Sequence, residues 1–280
     1  MQVQWFPGHM AKAMRLVKEQ LKNVDIVIEV CDARAPVSSR NSELTSILGE
    51  KKRLVAYNKS SLADDATSKK WEKYLKNNDE LFVFTDALTR KGIKALSNIL
   101  ISHAGTNIRY NRAVRAMVIG LPNVGKSMLI NSLTLSSGAK TGNRPGITRG
   151  NQWIRINNRL HLLDTPGVLM PKIENETDAF NLVAIGCVKD IIFDKYIACM
   201  EILDFMKERY PSLIKARYAL SSLHSSSDEM ISEIAKKRGF FIKGGEIDIN
   251  RCADTIYDEF KNGIIGQVSL QCPDDNKVTE

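Results

Sequence analysis

The chain has 280 residues, of which 43% are hydrophobic, and a net charge of +8. This composition suits one large or two ordinary globular domains. No apolar run approaches the roughly 18 residues of a membrane span, and the first ten residues lack the features of a signal peptide, so a cytoplasmic protein is expected. Five scattered cysteines without a C-x-x-C pair argue against a disulfide framework and a zinc site.

The charge is unevenly distributed along the chain. Residues 1–170 contain 26 Lys and Arg against 13 Asp and Glu, a net charge of +13, whereas residues 171–280 have a net charge of −5. An excess of this size favours a polyanionic partner such as RNA for the first part of the chain, although a solvated basic surface is the alternative.

Helical and extended patterns alternate through the first 133 residues. An amphipathic helix is predicted at 11–22. Apolar strands are predicted at 26–31, 54–57, 81–84 and 116–119, and helices at 71–75, 93–101 and 128–133. Polar residues such as Asp32, Asn58 and Asp86 follow three of the strands. The alternation predicts a parallel α/β sheet, whose ligands gather at the carboxyl ends of the strands.

Residues 120–127 read GLPNVGKS and match the phosphate-binding pattern G-x-x-x-x-G-K-[ST]. In this pattern the glycines expose backbone N–H groups to the phosphates, Lys126 reaches the terminal phosphates and the Ser127 hydroxyl binds Mg²⁺. A strand before the loop and a helix after it supply the required context. The alternative is a glycine turn that merely precedes a core helix.

A second candidate phosphate element follows the loop. Residues 138–150 have no apolar periodicity and are expected to be mobile. Segments 152–156 and 160–163 form a predicted hairpin that ends at Asp164, which suits Mg²⁺, while the amide of Gly167 could approach the γ-phosphate.

After Pro171 the patterns become mainly helical, with helices predicted at 180–188, 196–209, 228–236 and 253–261. We therefore expect an α/β nucleotide-binding domain at 1–172, a smaller helical domain at 173–272 and a disordered tail at 273–280. The basic run 236–243 fits either a helix-ending glycine turn or a nucleic-acid contact.

Together, several motifs resemble those of a translation-factor-type GTPase, but in a different order. These are Asn58-Lys59, residues 120–127, Pro145-Gly146-Ile147-Thr148 and residues 164–167. The Asn-Lys element precedes the P-loop, so the GTPase domain is circularly permuted. With WFPGHM at 5–10 and Asp32-Ala33-Arg34, nearly the whole chain resembles the ribosome biogenesis GTPase A family.

The resemblance implies a GTPase that assists assembly of the bacterial large ribosomal subunit and binds ribosomal RNA and proteins in a nucleotide-dependent way. Its cofactors would be GTP or GDP with Mg²⁺, and K⁺ would assist hydrolysis. A low intrinsic rate, stimulation by the ribosomal subunit and a monomeric state are expected.

The resemblance also assigns roles to individual residues. Catalysis would involve His9, Lys126 and Thr148, and Mg²⁺ would be held by Ser127, Thr148 and Asp164, while Asn123 would hold K⁺. The nucleotide-binding residues would be Asn58, Lys59, Asp86, Ala87, Asn123, Val124, Gly125, Lys126, Ser127, Met128, Thr148 and Gly167. Asn58 would contact guanine and Lys59 would pack on the base.

The chain departs from the family pattern at the base-reading elements. The pattern N-K-x-D supplies an Asp that accepts hydrogen bonds from guanine, but this chain has Ser61 at that position, with Asp64 three residues further on. The usual Ser-Ala-Lys is replaced by Asp86-Ala87-Leu88. On sequence alone, Ser61→Asp should tighten GTP binding, and GTP selectivity over ATP is open.

Hydrolysis also needs an unusual residue, because Val168 follows the 164–167 motif and cannot orient water. His9 is the substitute that the family suggests, and a loop histidine that packs or binds RNA is the alternative. Two other functions stay open at this point: a P-loop ATPase, and an RNA-binding scaffold that uses nucleotide only as a switch.

Overall fold

The computed structural model describes residues 15, 17–104, 112–136, 152–164, 173, 175–224 and 226–274. The chain divides into two compact units, one containing Trp5–Lys172 with Ser269–Glu280 and the other containing Ile173–Val268. Across the described ranges, no helix is both long enough and apolar enough to cross a membrane.

The first unit is built on a mixed sheet. Its strands are β1 (Ile26–Asp32), β2 (Lys52–Asn58), β3 (Phe82–Phe84), β4 (Val114–Gly120), β5 (Gln152–Asn157) and β6 (Leu160–Asp164). They lie in the order β3-β2-β1-β4-β6-β5. All neighbouring pairs are parallel except the β5–β6 hairpin at the edge. The predicted parallel α/β sheet and its hairpin are confirmed.

The strand sequences explain this arrangement. Every residue of β1 is buried, which is the pattern of a central parallel strand covered on both faces. Its register aligns Ile28 with Leu54 of β2 on one side and with Val118 of β4 on the other. The Asn-Lys element at the end of β2 and the P-loop at the end of β4 therefore flank the same strand.

Helices cover the sheet at α1 (Ser42–Leu48), α2 (Asp65–Asn77), α3 (Ile93–Ala104) and α4 (Lys126–Ser136). No sequence pattern predicted α1, which is only seven residues long. Leu44 and Leu48 anchor it in a buried cluster that includes Val27 and Met117. Of the predicted first helix, residues 17–20 are helical and Leu21–Asn23 form a 3₁₀ turn, while most of its earlier residues lie outside the described ranges.

The second unit is helical. It contains α5 (Glu176–Ala184), α6 (Lys195–Arg209), α7 (Pro211–Tyr218), α8 (Ser227–Arg238) and α9 (Ile249–Lys261). The predicted helices correspond to α5, α6, α8 and α9, and α7 is an addition that begins with Pro211 at a favoured position. Gly239 ends α8 in the left-handed conformation, so the glycine-turn interpretation of the basic run is confirmed there.

The predicted end of the helical domain at residue 272 needs a correction, because the division falls after Val268 and the following segment packs within the sheet unit. The Leu270 amide donates to the Arg34 carbonyl at 2.8 Å. The Trp71 indole Nε1 donates to the Gln271 carbonyl at 3.0 Å. These contacts join residues that are 200 or more positions apart, which no local pattern encodes. Of the predicted tail 273–280, residues 275–280 lie outside the described ranges.

Candidate functional site

The P-loop joins β4 to α4 at the carboxyl edge of the sheet. Gly120 has φ of +150°, and a Cβ there would lie 2.4 Å from the carbonyl oxygen of Val30 on β1. Any side chain at this position would therefore force the two strands apart. Asn123, at the exposed tip of the loop, has φ of +60°, a conformation that Asn tolerates better than most residues.

A single asparagine, Asn58, joins the P-loop to the loop that follows β3. The Asn58 Nδ2 donates to the Val124 carbonyl at 2.9 Å. A Cβ at Gly125 would lie 2.3 Å from this nitrogen, so the contact requires glycine. The Asn58 Oδ1 accepts a hydrogen bond from the Ala87 amide at 3.0 Å. Asn58 thus holds two loops in place relative to each other, a positioning role that the sequence pattern did not predict.

Lys59 follows with φ of +58° and lies against a buried charge cluster. Its Nζ is 3.0 Å from the Asp32 Oδ2. Arg34 donates to both oxygens of the same carboxylate, at 3.0 Å from Nε and 2.9 Å from one Nη, and both of these side chains are fully buried. Burial opposes ionisation of Asp32, but the charges and hydrogen bonds of Arg34 and Lys59 outweigh it and hold its pKa well below the ordinary value.

The residues predicted to bind phosphate lie at the start of α4. Lys126 begins α4, is 9% exposed, and folds back so that its Nζ donates to the Leu121 carbonyl at 2.7 Å. Ser127 is half-buried in the first turn of the helix, where the helix dipole favours an anion. Met128 is 49% exposed beside it.

Asp164 ends β6 and is 3% exposed. Its register partner on β4 is Val118, two residues before Gly120, so the carboxylate lies on the strand next to the P-loop strand. Hydroxyl and carboxylate oxygens from Ser127 and Asp164 are the hard ligands that suit Mg²⁺. The residues present therefore fit the metal that the loop chemistry requires.

At the base-reading end, Asp86 follows β3 and is 3% exposed. Its carboxylate accepts hydrogen bonds from the Ser61 hydroxyl and from the Thr89 amide, the latter at 2.8 Å. On sequence alone Ser61 is only a departure from the N-K-x-D pattern, and its pairing with Asp86 was not predicted. The sequence did contain an indication of this pair, because a hydroxyl residue and a carboxylate residue follow two consecutive predicted strands.

The structure therefore brings most of the predicted residues to one edge of the sheet. Three of them, His9, Thr148 and Gly167, lie outside the described residues, as does the loop 138–150.

Comparisons with known proteins agree with this geometry. A family model described as "50S ribosome-binding GTPase" matches residues 115–210. A ribosome biogenesis GTPase A from Bacillus cereus is 39% identical over 283 residues, covering 98% of this chain and 95% of the relative. A mouse protein named mitochondrial ribosome-associated GTPase 1 is 35% identical over 294 residues, covering 95% of this chain and 89% of the relative.

Solved structures give the same result. GNP-bound YlqF from Thermotoga maritima matches with a TM-score of 0.68 and 29% identity, covering 94% of this chain and 98% of that one. A GDP-bound YlqF structure matches with a TM-score of 0.70 and 28% identity, covering 93% and 100% respectively. These matches favour a GTPase over the ATPase and scaffold alternatives. The chain is a circularly permuted P-loop GTPase and belongs to the ribosome biogenesis GTPase A family.

Proposed function

We propose that this GTPase acts in the cytoplasm, as a monomer, in the assembly of the bacterial large ribosomal subunit, and that it binds ribosomal RNA and proteins in a nucleotide-dependent way. The uneven charge is the main observation in favour of an RNA partner, since residues 1–170 have a net charge of +13. The names of the relatives refer to ribosome biogenesis and support the proposed role in ribosome assembly.

The basic run 236–243, in the helical unit, would supply a smaller share of the RNA contacts. It is mostly exposed and includes Phe241, which is 48% exposed and suits stacking on a base. However, Lys237 lies 2.8 Å from a Glu233 oxygen, and Arg238 lies 3.5 Å from a Glu259 oxygen. Because these carboxylates already neutralise two of the cations, most phosphate contacts are assigned to the sheet unit.

For the chemistry, Lys126 would hold the β- and γ-phosphates, while Ser127, Thr148 and Asp164 would hold Mg²⁺. When bound, Mg²⁺ neutralises the charge that develops on the phosphate oxygens. The Gly167 amide would approach the γ-phosphate, and Asn123 at the loop tip would hold K⁺. Asn58, Lys59, Ala87, Val124, Gly125 and Met128 would enclose the rest of the nucleotide.

The RNA proposal predicts how binding to the large subunit responds to nucleotide and salt. We expect affinities measured with GDP, with a non-hydrolysable GTP analogue and without nucleotide to differ by about 5- to 150-fold. By linkage, subunits must change the affinity for the nucleotide by the same factor. Affinity should also fall as salt rises, because Lys and Arg contacts release counterions.

Lysines of the basic run that lack and that have a carboxylate partner among the described contacts can be compared directly. The double variant Lys236→Ala/Lys243→Ala should lower the salt slope by about 2 if both lysines contact phosphates, whereas Lys237→Ala should change it less. Equal affinities for the large subunit in all three nucleotide states would contradict nucleotide-dependent binding. An affinity that does not change with salt would contradict binding through Lys and Arg contacts to phosphates.

His9 is proposed to support hydrolysis and not nucleotide binding, since Val168 cannot orient water. We expect His9→Ala to lower GTP turnover, chiefly when ribosomal subunits are present, and to leave GTP affinity within about twofold, as for a group used only in the transition state. Single-turnover hydrolysis and equilibrium binding separate the two effects. His103→Ala is the control histidine, on α3. Turnover equal to that of the wild type would remove His9 from the mechanism.

A further inference from the structure

Two residue types are exchanged between the loops that follow β2 and β3. The family pattern places a carboxylate in the first loop, as N-K-x-D, and a serine in the second, as Ser-Ala-Lys. This chain has Ser61 in the first position and Asp86 in the second. The pair of loops therefore keeps one carboxylate and one hydroxyl, but each has moved to the other loop.

The fold places the two side chains in contact. β2 and β3 are parallel neighbours, so the loops after them leave the sheet side by side. The Ser61 hydroxyl donates to the Asp86 Oδ2, and the Ser61 amide donates to the same oxygen at 3.3 Å. The Thr89 amide donates to the Asp86 Oδ1 at 2.8 Å. These bonds fix the orientation of the Asp86 carboxylate against Ser61.

The other carboxylate near this loop has a different task. Asp64 is the N-cap of α2, and its Oδ1 accepts from the Thr67 amide at 2.7 Å. Its own amide donates to the Ser269 hydroxyl at 3.1 Å. Because an N-cap satisfies helix donors that would otherwise lack a partner, reorientation of Asp64 toward a base would uncap α2.

We propose that the Ser61–Asp86 pair reads guanine, with the half-exposed Ser61 hydroxyl as the contacting group and the buried Asp86 as its positioning residue. A hydroxyl that donates a hydrogen bond to a carboxylate is polarised, and its oxygen becomes a better hydrogen-bond acceptor. Guanine presents N–H donors at N1 and at its amino group, whereas adenine has an acceptor at N1. The pair therefore favours guanine.

The charge state of Asp86 supports this role. Burial raises its pKa, but the hydrogen bonds from Ser61 and Thr89 outweigh that effect, so the pKa is lowered from 3.8. The carboxylate is ionised at neutral pH, as a partner that polarises the serine must be.

Titration of the purified protein with GDP and ADP tests the pair without any need for turnover. We expect Asp86→Asn and Ser61→Ala each to lower GDP affinity by about tenfold to a hundredfold, and to leave the weaker ADP affinity within about twofold. Asp64→Asn is the matched control, because it removes the same charge from the neighbouring carboxylate. Because asparagine caps a helix about as well as aspartate, this variant should change the melting temperature little and should preserve the GDP/ADP ratio.

The exchange itself supplies the sharpest variant. Ser61→Asp alone would place two carboxylates in contact, so it should weaken GDP binding, in contrast to the expectation from sequence alone. The double variant Ser61→Asp/Asp86→Ser restores one carboxylate and one hydroxyl in the family arrangement, and it should recover the wild-type GDP/ADP ratio. A merely structural role for Asp86 would not produce this rescue.

The outcomes separate the candidates for base reading. A GDP/ADP ratio that falls in Asp64→Asn and stays constant in Asp86→Asn would assign the base to Asp64. The double variant could have a wild-type melting temperature but a GDP/ADP ratio as low as that of Ser61→Asp alone. This result would overturn the proposal that Ser61 and Asp86 read guanine as a pair. Equal losses of GDP and ADP affinity in Asp86→Asn would show a structural role only.

Discussion

Replacing Lys126 with alanine is expected to lower GTP and GDP affinity by about a hundredfold or more. The ammonium group is held at the start of α4, where its Nζ donates to the Leu121 carbonyl at 2.7 Å. Leu121 belongs to the P-loop, along which the β- and γ-phosphates would lie in the proposed site. The helix N-terminus alone would not replace a full positive charge against polyphosphate.

Titration with GDP, together with the melting temperature of the nucleotide-free protein, measures this effect. The melting temperature shows whether the lost Leu121 contact, and not the lost phosphate contact, explains the result. Lys69→Ala, on the exposed face of α2, removes the same charge from the sheet unit and should leave binding unchanged. Wild-type affinity in Lys126→Ala would refute the assignment of the phosphate site.

The largest expected loss of stability follows from Arg34→Ala. This change leaves the fully buried Asp32 carboxylate without the bidentate partner that stabilises its charge. Breaking a buried ion pair by removal of one partner costs about 3–5 kcal/mol in the free energy of unfolding. Lys59, which we propose packs on the base, contacts the same carboxylate. Its position should therefore also change, and GDP affinity should fall.

Urea unfolding compares this variant with Arg112→Ala, which breaks the bidentate pair of Arg112 with Asp25. Arg112 is 43% exposed, and a surface pair of this kind contributes about 1 kcal/mol or less. The double variant Asp32→Leu/Arg34→Met should recover much of the lost stability, because it leaves no unpaired charge. Similar losses for Arg34→Ala and Arg112→Ala would contradict the structural importance of the buried pair.

The pH dependence has a definite sign. The folded-state pKa of Asp32 is lowered, so this carboxylate contributes stability that is fully present above its ordinary pKa of 3.8 and is lost as the pH falls below it. In a double variant that lacks both charges, the steepness of acid unfolding below this pH should decrease.

The sequence by itself determined the elements whose residues are contiguous. The apolar run of β4, the glycines of the loop and Lys126 at the helix start follow one another, so local pattern and phosphate chemistry sufficed to predict them. The strands β1 and β2 were predicted for the same reason. The seven-residue helix α1 was missed, because its stability comes from the packing of Leu44 and Leu48 and not from a long periodic pattern.

The tertiary structure alone decided how separate loops combine at the carboxyl edge of the sheet. The register of β2 and β3 places Ser61 against Asp86, and the Asn58 amide joins the P-loop to the loop after β3. The C-terminal segment that begins at Ser269 returns to the sheet unit through hydrogen bonds with Arg34 and Trp71. Such contacts depend on strand pairing between distant positions, and a periodicity read along the chain contains no information about which loops that pairing brings together.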